Sequence, residues 1–392
     1  MKSLKFIDLF CGVGGFHLAL EKLGGKCVFA SDIDPNCRMV YKDNFGLEPA
    51  GDITKVNEKE IPKHDLLCAG FPCQAFSKAG YRKGVNDPRG TLFYEIIRIA
   101  KHHMPKYMIL ENVRNLAGHD GGNTWKVIRY NLREIGYNVS DEPIIFSPHY
   151  LGIPQHRERV FILCKRKDLG DLPPFTFNMK SKPDSDAFSI LQTDNEIENI
   201  NNFKLNKRDK SIIDLWNEFT LIVKDNLPGF PIWSEWLREI NGVDNIQAYP
   251  KWKQDFIYKN SKLYTDYKKP IDSWLKKASL NPDFSGAKAK FEWQAGKTTD
   301  PNLWNTIMHF RPSGLRVKRP THYPALVAIT QTSIIGPRKR KLTPRECARL
   351  QSIPDSYKLH ATDRIAYKQL GNSVNVEVVK LFAKLLLESS NY

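Results

Sequence analysis

Lys5-Phe6-Ile7-Asp8-Leu9-Phe10-Cys11-Gly12-Val13-Gly14-Gly15-Phe16-His17-Leu18-Ala19-Leu20 is the stretch whose reading decides the fold. Its first half is an apolar run of strand length, and its second half sets Phe16, Leu18, Ala19, Leu20 and Leu23 at helical spacing. The glycines between them allow the backbone to approach a ligand closely, and the helix amino end faces that ligand. Strand, glycine turn and helix make a nucleotide-type unit. The spacing differs from the G-x-G-x-x-G of pyrophosphate binders, which argues against a dinucleotide.

Working outward, a second strand over 26–31 ends at Asp32 and Asp34. Asp32 stands 20 residues beyond Gly12, and a carboxylate at that strand end can accept both ribose hydroxyls of an adenosine. Asp52, after Gly51, is placed to accept from an adenine amine. Either acid alone reads as an exposed loop residue; at successive strand ends together they favour an adenosine cofactor. Further strands are expected over 65–69, 107–110 and 160–164, with a helix near 91–102 and another closing over 132–137. The alternation predicts an α/β fold with a doubly wound, mostly parallel sheet and ligands at the strand ends.

The third of these strands runs into Gly70-Phe71-Pro72-Cys73-Gln74. Two readings of Cys73 stand at this point. A cysteine is often a small buried hydrophobe. This one follows a shaped Gly–Pro turn at the carboxyl end of a sheet, where a thiol is exposed to a ligand.

The chain has 392 residues, room for two domains, and its net charge of +16 favours a polyanionic partner such as nucleic acid. Asp8 interrupts the apolar amino terminus, unlike a signal peptide, and no apolar run approaches the roughly 20 residues of a membrane span. The seven cysteines lack paired close spacing, which disfavours a zinc ribbon or a disulfide framework, and no metal is expected. A reduced, soluble, cytoplasmic protein is the simplest reading. Beyond residue 165 the alternation fades, and seven of eight tryptophans fall between Trp216 and Trp304 among many lysines. Most of them read as the core of a second domain. Phe310-Arg311-Pro312-Ser313-Gly314-Leu315-Arg316-Val317-Lys318-Arg319 is the densest basic loop, and arginines there are suited to bidentate contacts with guanine edges.

Seven segments in order resemble the DNA (cytosine-5) methyltransferases of bacterial restriction–modification systems: FIDLFCGVGGFHLAL, GDI at Gly51, GFPCQAFS at Gly70, ENV at Glu111, QHRERVFIL at Gln155, RKLTPRECARLQ at Arg340 and YKQLGNSV at Tyr367. They span the chain except its middle. Cys11 departs from the family's usual alanine, and Ile33 stands where some members carry an aromatic beside the adenine.

The resemblance implies an S-adenosylmethionine-dependent methyltransferase sheet with a smaller inserted target-recognition domain. The domains would be a catalytic domain over 1–185, a DNA-reading domain over 186–362 and a returning segment over 363–392. Cys73 matches the nucleophile, Glu111 the acid at the ring nitrogen, and Arg159, with Arg157 second, the guanidinium at the cytosine oxygen. The implied cofactor is S-adenosylmethionine, with S-adenosylhomocysteine as product. Phe10, Gly12, Gly14, Asp32, Ile33, Asp52, Ile53, Pro72, Leu92 and Asn372 would line its site. The segment 76–89 reads as a lid closing over a flipped base. Ser77, Lys78, Arg82, Arg311, Arg316, Lys318 and Arg319 would contact duplex DNA. A monomer, nucleoid-associated through DNA, is the family expectation, beside a restriction endonuclease sharing the site without needing to bind. An RNA cytosine methyltransferase on the same scaffold and a catalytically silent DNA-binding relative are the rival readings.

Overall fold

The structure is a computed structural model that describes residues 4–72, 91–175, 177, 185–242, 245–329 and 332–388. The chain divides into two compact units, one of Met1–Ser185, Pro324–Thr330 and Pro344–Tyr392, the other of Asp186–Tyr323 and Gln331–Thr343. The expectation of an inserted domain reaching residue 362 is therefore corrected. Residues 344–362 go with the first unit because they bond to it: Asn44 Nδ2 donates to Lys358 O and the Lys358 amide donates back to Asn44 Oδ1.

In the first unit the strands are β1 (Lys5–Leu9), β2 (Lys26–Ser31), β3 (Leu66–Gly70), β4 (Tyr107–Val113), β5 (Tyr137–Val139), β6 (Ile144–Phe146), the two-residue β7 (Gln155–His156) and β8 (Arg159–Arg166). The sheet order is β2-β1-β3-β4-β8-β5, with β6 pairing β8. Pairing is parallel from β2 through β4 and antiparallel for β8 with β4, β5 and β6. Tyr137, expected to close a helix, instead opens β5, because α4 (Asn123–Glu134) ends one turn earlier and Gly136 adopts φ 96°. The other helices here are α1 (Gly15–Glu21), α2 (Pro35–Phe45) and α3 (Thr91–His103). α2 shows why the sequence starts and stops where it does. Asp34 caps it through Asn36 N at 2.9 Å, Pro35 occupies its first turn, and Gly46 closes it at φ 67°.

From β1 the chain moves to β2 on one side and later to β3 on the other, so the order switches direction between β1 and β3. Open α/β sheets bind ligands outside the strand ends at such a switch. The strand interiors, including Ile7, Leu9, Leu67, Ala69, Met108 and Leu110, are fully buried. Each such large aliphatic contributes about 1.5–3 kcal/mol on burial.

The second unit carries α5 (Lys207–Ile222), α6 (Lys251–Asp266) and α7 (Lys268–Ser279) with the short strands β9 (Ile232–Trp233), β10 (Lys290–Trp293), β11 (Ile307–Arg311) and β12 (Gly314–Lys318). Tyr323–Pro324 (β13), Ile334–Ile335 (β14) and Arg340–Lys341 (β15) follow. Its six-stranded sheet has the order β15-β14-β11-β12-β10-β9. Trp216, Trp236, Trp274 and Trp293 are buried, while Trp252 lies open at 58 % exposure. Buried indoles need acceptors, and Trp216 and Trp274 donate to Lys288 O and Leu215 O at 2.8 and 2.7 Å.

The chain then returns as α8 (Pro344–Leu350), α9 (Asp363–Asn372) and α10 (Val376–Glu388). α10 packs on α1, with Lys22 Nζ 2.9 Å from Glu377 Oε1. Among the described residues no helix is long and apolar enough to cross a membrane.

Candidate active site

The turn after β1 is held in a conformation that few side chains tolerate. Phe10 sits at φ 55° and Gly12 and Gly14 at φ 53° and 75°. A left-handed phenylalanine costs on the order of 1–3 kcal/mol, which the fold retains at this strand end. A Cβ on Gly14 would stand 2.3 Å from the Phe45 ring, whereas the corresponding direction at Gly12 is open. Tyr357 Oη donates to Val13 O at 2.6 Å, and a Cβ on Gly15 would meet Val374 at 2.6 Å, so the returning segment buttresses the turn.

Asp32 ties this turn to the end of β2. Its Oδ2 accepts the Gly12 amide and its Oδ1 the Asp34 amide, both at 2.8 Å. Burial raises its carboxyl above the usual range, while those two backbone donors offset part of the rise. Each oxygen keeps a further lone-pair direction, so the carboxylate can still accept from a ligand. Ile33 beside it is 73 % exposed, a large apolar side chain left open at a strand end. Asp52 caps a short turn, accepting from the Thr54 hydroxyl and amide at 2.8 and 3.0 Å, bonds that hold its carboxyl below the usual range. Ile53 is buried, Leu92 is half-buried against the sheet core, and Asn372 is exposed at the last position of α9.

Across the switch point, the β3–β4 register pairs Gly70 with Glu111, and a Cβ on Gly70 would lie 3.8 Å from Glu111 Oε2. On the other side of β4, Val113 pairs with Arg159 of β8. Arg159 Nε stands 3.1 Å from Glu111 Oε1, and Arg159 Nη1 donates to Glu158 O at 2.8 Å. Glu111 is buried at 8 % exposure. That burial raises its carboxyl above the ordinary range, and the guanidiniums of Arg159 and Arg157 offset part of the rise. Burial outweighs the ion pair here, and the same desolvation draws both guanidiniums down. The arrangement presents a carboxyl able to hold a proton next to a guanidinium whose Nη2 has no partner among the described residues.

Pro72 is exposed at the end of the turn; Cys73, Ser77, Lys78, Arg82 and the 76–89 segment lie outside the described residues. Asn112, which the sequence reading quoted without a role, donates through Nδ2 to Phe71 O at 3.0 Å and accepts the Val113 amide at 2.8 Å. It thereby fixes the carbonyl two residues before Cys73 to the strand that carries Glu111. Only its place beside Glu111 hinted at this.

Arg157 differs from its expected place at the reacting base. It is 3 % exposed, and its Nη1 donates to Leu326 O while its Nη2 donates to Gly371 O and Ser373 O, at 2.9–3.0 Å. Gly371 and Ser373 flank Asn372, and Leu326 lies within the 324–329 segment. A Cβ on Gly371 would meet the Val327 backbone at 2.6 Å, so the two segments touch directly. With both terminal nitrogens spent on backbone, Arg157 clamps the 371–373 stretch to Leu326 and has no terminal donor left for a substrate.

The expected basic loop is a β-hairpin. β11 and β12 pair from Ile307↔Lys318 to Arg311↔Gly314 around a two-residue Pro312-Ser313 turn. Gly314 is required there, at φ 128° with a Cβ position 2.6 Å from the Lys290 backbone. The hairpin puts His309, Arg311, Arg316 and Lys318 on one face. Arg319 leaves that face, donating through Nε to Ala295 O and through Nη2 to Lys297 O at 3.2 Å. It is a structural side chain, which spacing alone did not distinguish from its neighbours.

An adenosine cofactor fits the first site on its own residues: an open glycine amide turn, an anchored carboxylate at the next strand end, an exposed apolar side chain beside it and a second capped carboxylate beyond. A family model described as C-5 cytosine-specific DNA methylase matches residues 4–388. The Type II methyltransferase M.AluI of Cellulosimicrobium cellulans is 35% identical over 472 residues, covering 96% of this chain and 90% of its own. The Type II methyltransferase M.HhaI of Haemophilus parahaemolyticus is 33% identical over 392 residues, covering 100% of this chain and 97% of its own. Among solved structures, the S. pombe Dnmt2 methyltransferase aligns over 100% of both chains with a TM-score of 0.55 at 18% identity. A putative DNA modification methyltransferase encoded within an E. coli prophage does so at 0.57 and 22%, and both likenesses speak to fold. Sheet, site and similarity agree: the chain belongs to the C-5 cytosine-specific DNA methylases.

Proposed function

We propose that this DNA methylase modifies one cytosine within a short duplex site by covalent catalysis at Cys73, with S-adenosylmethionine as methyl donor. The observation that supports it best is Glu111, buried, with its carboxyl raised, 3.1 Å from Arg159 at the strand end beside Gly70. Carbon 5 of cytosine is a poor nucleophile until carbon 6 carries a donor. The Cys73 thiolate adds its electron pair to carbon 6 as a protonated Glu111 donates to ring nitrogen 3. Arg159 holds the ring carbonyl oxygen through its remaining donors. The ring becomes an enamine with electron density at carbon 5. S-adenosylmethionine, when held by the residues of the glycine turn, would supply an electrophilic methyl for that carbon and leave as S-adenosylhomocysteine. A base acting through water takes the carbon 5 proton; the carbon–sulfur bond then breaks, returning its electron pair to Cys73, and the proton on ring nitrogen 3 goes back to Glu111.

Phe10, Gly12, Asp32, Ile33 and Asp52 would hold the cofactor, and Asn372 would meet it from α9. The target atom is hidden in a stacked duplex, so the base has to leave the stack to reach this pocket. The Type II names of the relatives support a role in protecting host DNA beside an endonuclease that reads the same site.

The test is labelled methyl transfer by purified protein to duplex DNA and to transfer RNA. Cys73→Ala is expected to abolish transfer to DNA while calorimetry still detects S-adenosylmethionine binding. Near-wild-type transfer by that variant overturns the nucleophile assignment, and incorporation into RNA alone overturns the substrate.

A further inference from the structure

The outer face of the second unit's sheet is built around one oriented arginine. On β10, β11 and β12 alternate residues point to opposite faces. Phe291, Trp293, Met308, Leu315 and Val317 belong to the buried core of this unit. The other face presents Glu292 on β10, His309 and Arg311 on β11, and Arg316 and Lys318 on β12, all half-buried. The register sets Arg316 beside Glu292 on one flank and His309 on the other.

Positive charge is crowded there. Burial, then Arg316, then Arg311 push the Lys318 ammonium below its ordinary range, and burial followed by Arg316 does the same to Arg311. His309, lowered to about 4 by burial and then by the two arginines, stays neutral at pH 7. Glu292 is the acid of this face, and it is committed. Its Oε2 accepts from Arg316 Nε at 2.7 Å and from Gln294 Nε2 at 3.1 Å.

That bond fixes the plane of the Arg316 guanidinium while its Nη1 and Nη2 have no partner among the described residues. A planar fork pinned at Nε is preorganised for a bidentate acceptor pair. Phosphate oxygens offer such a pair, but so does the guanine O6/N7 edge, and a two-stranded ribbon fits the major groove where that edge lies. The flanking Arg311 and Lys318 supply the phosphate contacts that position such a ribbon. Phosphates line the duplex in many orientations and can also be met by unanchored charges such as Arg311 and Lys318, whereas the coplanar O6/N7 edge accepts only a fork lying in the plane of the base.

We infer that Arg316, oriented by Glu292, reads a guanine in the major groove of the target site, and that this guanine stands at a fixed position in the sequence the chain methylates. The inference rests on the proposed reading that the substrate is duplex DNA. Its test is bisulfite sequencing of a randomised duplex library methylated by wild type, Arg316→Gln and Glu292→Gln. Wild type is expected to prefer guanine at one position by roughly 5- to 150-fold, the range for a bidentate arginine–guanine pair. Arg316→Gln loses that preference at that position alone, with adenine gaining, because glutamine matches the adenine edge. Glu292→Gln, a smaller change on the same face, weakens the same preference by about threefold or more while other positions hold. Loss of rate spread evenly over all sequences in both variants, with base preference intact, overturns base readout and makes Arg316 a phosphate contact. A wild type that methylates RNA but no duplex overturns it together with the substrate reading, and that outcome is visible before any variant is made.

Discussion

Removing the Arg157 guanidinium separates a positioning role from a chemical one. Arg157→Met keeps most of the stem volume and deletes three hydrogen bonds of 2.9–3.0 Å to Leu326 O, Gly371 O and Ser373 O. A hydrogen bond with a charged partner contributes about 1.5–3 kcal/mol, so three sum to roughly 5–9 kcal/mol. Recovered desolvation of the buried cation offsets several kcal/mol of that sum, leaving a net loss of about 3–5 kcal/mol, the usual cost of breaking one side of a buried polar network. Against a total stability of about 5–15 kcal/mol, the variant folds at reduced temperature and melts roughly 10 °C lower. Two of the freed carbonyls flank Asn372, so looseness spreads to the residue proposed to meet the cofactor. The assay is thermal unfolding with and without S-adenosylmethionine, together with kcat and KM at a permissive temperature. A positioning residue gives a lower Tm and a KM for S-adenosylmethionine about tenfold higher, with a smaller change in kcat. An unchanged Tm and KM with kcat down about 100-fold would refute the clamp and return Arg157 to the reacting base.

Further outcomes concern Glu111 and the glycine turn. Glu111→Gln is expected to lower kcat by about 10²–10³-fold, within the range for a lost general acid, while cofactor binding persists; equal rates at every pH contradict the role. Because burial raises the Glu111 carboxyl, wild-type rate falls as pH climbs through its folded-state value, and that limb is absent in Glu111→Gln. The sign for stability is the same: the contribution is full below the unfolded value and is lost as pH rises through the folded one, which denaturation at several pH values measures. Gly14→Ala places a Cβ 2.3 Å from the Phe45 ring at φ 75°, so chemical denaturation should show a loss of about 2–4 kcal/mol from overpacking plus left-handed strain; a loss below about 1 kcal/mol contradicts the crowding.

The strand–glycine–helix unit at 5–20 and the acids at the next strand ends were legible in sequence because strand periodicity and glycine placement are local properties. The proximity of Glu111 to Arg159 was legible only through family resemblance, since it depends on the antiparallel register of β4 with β8. What escaped is what the chain decides at a distance. Arg157 and Arg159 sit two apart and read alike, yet one clamps Gly371 and Ser373 while the other faces Glu111. Arg316 and Arg319 likewise differ only once the Pro312-Ser313 turn fixes the hairpin and Ala295 O captures the latter. The left-handed Phe10 carries no sequence signature, because its strain is imposed by its surroundings.

The Tyr357 hydroxyl that supports Val13 comes from 344 residues further along the chain. Ribosomes add roughly 5–20 residues per second, so the turn waits tens of seconds after its own synthesis for that support. The whole of the second unit emerges in that interval. A nascent chain therefore completes the whole second unit before the turn after β1 receives its brace.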